Sequence, residues 1–183
     1  MPFSSCLDNN LSKDQLQSLV ASLLWQYRLV DAFWFINVEN EYGLDRAEQI
    51  NAQVWGKVGE LSARDIVKRF GITTAGLDGF ARAMAYYPWA MMDSFDLEHR
   101  KGEILITSAQ CPAQKGRLKH GLGEYACKDM HFQEFVGFAK AIDPRIHIHC
   151  DFAPPDPHPE DLFCKWRITV GPAAGSAEGS EAE

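Results

Sequence analysis

The residues whose chemistry stands out are gathered in the second half of the chain: Cys111, Cys127, His131, Cys150 and Cys164. Thiolates with an imidazole make a ligand set for zinc, and thiolates in excess make one for an iron–sulfur cluster. A thiol beside a histidine base is alternatively a nucleophile. A free cysteine can also simply pack as a small hydrophobe. The spacing of the four cysteines matches no tight zinc-finger knuckle, so the reading depends on the elements that carry them.

Residues 145–152 alternate strictly, placing Ile146, Ile148, Cys150 and Phe152 on one strand face and His147, His149 and Asp151 on the other. A second alternating stretch, 162–170, puts Cys164 on the same face as Trp166, Ile168 and Val170. Between the hairpin described below and these strands, residues 125–142 are apolar at helical spacing. There Cys127 and His131, four apart, line up with Phe135, Phe138 and Ile142. Cys111 follows a strand and precedes Pro112, which puts it at a sheet end. Four thiols and an imidazole are therefore expected to converge between a helix and a sheet, as a zinc site or, alternatively, an iron–sulfur cluster.

Cys127 lies near the start of its helix, where the helix dipole favours a thiolate, and His131 is one turn away. The pair is the expected nucleophile and base. His158 joins them as a candidate catalytic group because the proline-rich loop APPDPHPED holds it beside Cys164. That loop reads equally well as a cover for the strand connection. Asp31 and Glu39 flank the bulky run from Phe33 to Ile36 and would be functional acids if buried, or a solvent stripe if not. Arg117, Lys119 and His120, before the Gly121–Gly123 turn, could bind an acidic substrate group or be an ordinary charged loop.

The elements that must position these residues are legible in order. Ser12 and Gln15 have capping-box spacing ahead of a helix over 13–42 that Gly43 stops. Asp45 and Glu48 begin a second helix reaching Gly71, with Gly56 and Gly59 placed to bend it. A third, shorter one spans about 77–86, before Pro88. Residues 94–99 and 103–109 read as a hairpin around Gly102. The expected fold is α+β: a helical N-terminal half (1–88) packed on a ββαββ antiparallel sheet with one covering helix (89–170). The acidic tail (171–183) is expected to be disordered.

Composition bounds the function. The apolar share of 46% with 23% charged residues is that of a globular protein. The net charge of −7 arises from 25 acids against 18 bases, without a dense basic face, so no nucleic-acid partner is expected. No stretch approaches the ~20 apolar residues of a spanning helix, and the start lacks the pattern of a secretory signal. A cytoplasmic location, a small-molecule substrate or ligand and no membrane partner are the expectations, with a homo-oligomer left open. Cys6, in the N-terminal segment, receives no role.

The segments DAFWFINVENEYG, NAQVW, CPAQKGRL, CKDMH, DPRIHIHC, APPDPHP and FCKW, spread over most of residues 25–170, resemble a family of largely uncharacterised bacterial and archaeal cytosolic proteins. That family is similar in turn to the L-2-amino-thiazoline-4-carboxylic acid hydrolases and, more remotely, to the 4-vinyl reductase small-molecule-binding domain. The resemblance implies a helical part on a small sensor-like α/β fold that binds a small molecule. It further implies water attack on a ring C=N, with a metal or thiol activating it. The expected function is thus a hydrolase-like protein acting on a C–N bond of a small molecule; the alternative is a non-catalytic metal, redox or ligand-binding module.

Overall fold

The computed structural model describes residues 11–92 and 95–172. The expectations for Cys6 and for most of the acidic tail, residues 173–183, lie outside the described residues. Helix α1 spans Lys13–Tyr42, and the capping box closes as the spacing requires: Ser12 Oγ accepts from the Gln15 N–H, and the Gln15 side chain accepts from the Ser12 N–H. Helix α2 (Leu44–Phe70) ends on Gly71 in the left-handed conformation that glycine tolerates best. Helix α3 (Gly76–Met84) and the short α4 (Pro88–Met91) lead into the sheet.

Strands β1 (Asp96–Arg100), β2 (Glu103–Ser108), β3 (Ile146–Phe152) and β4 (Cys164–Val170) form one antiparallel sheet in the order β1-β2-β4-β3. The crossover from β2 to β3 carries α5 (Pro112–Lys119) and α6 (Lys128–Lys140). The α+β class and the covering helix are as the sequence indicates. The 8-residue α5 is an addition: residues expected as a charged loop form a helix opened by Pro112.

Alternation places Ile104, Ile106, Cys164, Trp166 and Ile168 inward, where they meet Phe135 and Phe138 of α6. Helix α6 is covered on its other side by α2, and the glycines set that spacing. A Cβ at Gly59 would lie 2.4 Å from the Glu134 carbonyl oxygen, and one at Gly137 would lie 2.5 Å from that of Gly56. The two helices touch backbone to backbone, so Gly56 and Gly59 serve close approach. One buried cluster runs from Ala63, Ile66 and Phe80 through Phe135 to Trp166, joining the helical and sheet parts.

Helix α1 is attached along its inner side only. Trp55 donates to Asp31 at 3.1 Å, Phe35 is tilted against the Tyr125 ring at 5.0 Å, and Arg117 pairs with Glu39. Leu16, Val20, Leu23 and Trp25 are exposed. By length and composition α1 is apolar enough to cross a membrane, although no uninterrupted apolar run of that length stands out in its sequence.

Candidate functional site

A recessed chamber of about 50 Å³ opens where α6, the α5 N-terminus and the inner sheet face meet α1 and α2. Cys111, Cys127, Cys164 and His131 all line it, so four of the five expected ligands are brought together. Cys150 is not among the lining residues. It pairs with Trp166 on the edge strand β3, one strand further out than Cys164, which sits opposite Ser108 in the middle of the sheet. Among the described residues, no three His, Cys, Asp or Glu side chains come close enough together to hold a metal ion.

The electrostatics of the thiols correct the expectation for Cys127. It is the N-cap residue of α6, but burial outweighs the helix dipole and holds its thiol well above the ordinary value, with the nearby Cys111 acting the same way. Gln114 Nε2 donates to its sulfur at 3.4 Å, which only partly offsets this. Burial also raises the Cys111 thiol and pushes Cys164 up to about 12 and Cys150 to about 11. The chamber is therefore lined with neutral thiols at neutral pH, not with a ready thiolate nucleophile.

His131 has the partner that its role requires. Its Nδ1 lies 2.8 Å from Glu134 Oε2, one turn along α6, while Tyr87 Oη donates to Glu134 Oε1 at 2.5 Å. Glu134 is fully buried, and the His131 ring stacks on Phe135 at 5.6 Å. In the tautomer with Nδ1–H donating to the carboxylate, Nε2 is left as an acceptor. Tyr87 is held well above the usual phenol range by burial and then by the Glu134 charge, so it stays a donor. Glu134 was readable in the sequence as an acid three residues after His131 on an apolar stripe, a spacing that puts both on one helix face.

Asp31 is half-buried and faces inward, which places it nearer to the buried acid than to the solvent stripe. It lines the chamber, and burial raises its carboxyl to about 6 despite the hydrogen bond from Trp55. Glu39 is not a solvent stripe either: largely buried, it pairs with Arg117 and clamps α5 onto α1. Ser108 also lines the chamber; its hydroxyl is buried and has no hydrogen-bond partner among the described residues. Gln114, fully buried, bonds both the N–H (3.1 Å) and the carbonyl (2.9 Å) of Tyr125, fixing the segment that carries Tyr125 and Cys127.

His158 stands off the chamber. Its Nε2 meets Glu124 at 3.0 Å and its Nδ1 meets the Pro159 carbonyl at 2.9 Å; these partners raise its pKa. The proline loop is tied to the α6 N-terminus by Asp156, which accepts from Lys128 Nζ at 2.7 Å, and by the Lys128 N–H on the Pro154 carbonyl. Its observed contacts are those of a cover for the strand connection. His147 and His149 point outward from the sheet and are exposed.

A second, larger space of about 310 Å³ lies between α1 and α5. Asp31, Trp89, Pro112, Ala113 and Tyr125 line both spaces and form the wall between them. No curated protein and no solved structure gives a match to the chain. One family model does match, across residues 9–170: the family of unknown function DUF6125. A match over that much of the sequence settles membership, and the chain belongs to the DUF6125 family.

Proposed function

We propose that the protein hydrolyses a small molecule whose reacting group enters the inner chamber, with His131 as the general base. One observation carries the reading: a histidine on the chamber wall has one ring nitrogen fixed by a buried carboxylate, itself fixed by a tyrosine. That is the base-and-orienter half of a catalytic triad. The neutral thiols argue for water, not cysteine, as the nucleophile.

The resemblance to the thiazoline hydrolases supplies the reaction class. Water adds to the ring carbon of the C=N group as His131 Nε2 takes its proton. The ring nitrogen takes a proton as water adds, the adduct hydroxyl gives one up as its C–O bond becomes C=O, and the C–S bond breaks, the sulfur leaving as a thiol with the proton that His131 held. The product is a carbamoyl cysteine. Asp31, protonated below about pH 6, is the nearby acid that can hydrogen-bond the ring nitrogen.

The test is incubation with L-2-amino-thiazoline-4-carboxylate, followed by mass spectrometry. Wild-type protein should form the carbamoyl product, and His131→Gln should lose it by a factor of 100 or more, in the ~10²–10⁴ range of general-base catalysis. Absence of turnover in the wild type would remove the hydrolase reading of this substrate.

A second reading retains the metal. Cys111, Cys127, Cys164 and His131 share a wall, and zinc or an iron–sulfur cluster there would require the thiols to approach one another and lose their protons. Metal analysis of protein purified without oxygen separates the two: a stoichiometric transition metal favours this reading, and less than about a tenth of an equivalent ends it.

A further inference from the structure

The space between α1 and α5 has features that the chemistry of the inner chamber does not use. Its volume, about 310 Å³, is that of a site for a metabolite-sized molecule. Phe33, Ile36 and Leu122, three of the large apolar side chains left exposed on the molecule, all line it. Exposed apolar side chains converging on one concavity mark a binding groove more often than a bare surface. Tyr125, Trp89 and Phe35 supply aromatic walls.

Its polar groups are biased in charge. Arg28, Arg117 and His120 line it against a single acid, Asp31. Arg117 is already neutralised by Glu39, and its remaining donors go to the Gly123 and Leu122 carbonyls. Arg28 makes no ion pair among the described residues, and His120, also exposed, is a second basic side chain in the lining. Asn51, 3% exposed, also lines the space, and its Oδ1 has no hydrogen-bond partner among the described residues.

We infer that this groove binds an aromatic carboxylate, its anionic end against Arg28 and His120 and its ring between the α1 apolar side chains and Tyr125. Asp31, Trp89 and Tyr125 form the wall between this groove and the chamber that His131 lines. The inference goes beyond the proposed function: it assigns a second ligand class to the space beside the chamber and does not depend on hydrolysis at His131.

Calorimetric titration of the full chain with 1-naphthoate and with its neutral counterpart 1-naphthylmethanol tests it. Naphthoate should bind one to one and at least tenfold more tightly than the alcohol, and more tightly than octanoate. Arg28→Gln with His120→Gln should erase the preference over the alcohol while leaving the alcohol's affinity and the circular dichroism spectrum unchanged. Gly116→Trp, at a lining position where a Cβ meets nothing within 4 Å, should block both naphthyl probes. Equal affinity for acid and alcohol, a preference that survives the double substitution, or octanoate binding as tightly as naphthoate would overturn the assignment while leaving His131 chemistry standing. Binding of neither probe, or binding that ignores Gly116→Trp, would overturn the groove itself; the thiazoline assay reports on His131 separately.

Discussion

At the scale of single residues, burial decides the chemistry of the site. Cys127 and Asp31 are both desolvated, and in both cases that cost exceeds the local help from a helix terminus or a hydrogen bond. For Asp31 the consequence is measurable. Its folded value of about 6 lies above the ordinary 3.8, so the folded state holds this proton more tightly than the unfolded chain. The resulting stabilisation is full below about pH 4 and is lost as pH rises through 6. Asp31→Asn keeps an acceptor for Trp55 and removes the titration. It should raise stability by about 1–2 kcal/mol at pH 8 and leave it nearly unchanged at pH 4, once the two-unit shift (~3 kcal/mol) is discounted for partial exposure. Chemical denaturation at the two pH values reads this out, and an equal effect at both would refute the buried-acid account. Sequence alone could not supply the sign for Cys127, because the dipole argument is local and the burial comes from α1, α2 and Gln114 of α5.

At the scale of elements, the sequence carried the long pieces well. The Ser12–Gln15 capping box and Gly43 bound α1 as read, and strict alternation put Cys164 on the covered face of β4. Two things were hidden. Helix α5 is short and has no apolar stripe, leaving Pro112 as its only start signal. The strand order β1-β2-β4-β3 depends on long-range pairing, which is why the face of Cys150 could be read but its distance from the chamber could not. Gly59 exposes another long-range dependence. Its lack of a side chain lets α6 approach α2 at the residue whose side chain holds His131. Gly59→Ala drives a methyl into a backbone carbonyl, not a yielding side chain, and should destabilise the fold by about 2–3 kcal/mol. Urea unfolding checks the magnitude; a change below about 0.5 kcal/mol would show that the helices are further apart than described.

At the scale of the whole molecule, the site exists only because the two halves share one core. Asp31 and Trp55 come from the helical half, His131 and Glu134 from the crossover helix, and Cys164 and Ser108 from the sheet. No segment of sequence holds the chamber, so motif spacing could name its cysteines and His131 but not Ser108 or Tyr125. The central claim is that this assembly makes His131 a base through Glu134. Single-turnover rates of thiazoline opening for His131→Gln, Glu134→Gln and the double variant test it most directly. The claim predicts a loss of 100-fold or more for His131→Gln, a smaller loss for Glu134→Gln, and no further loss when both are combined, as residues acting as one unit require. Losses that multiply in the double variant, or a His131→Gln rate equal to wild type, would contradict it.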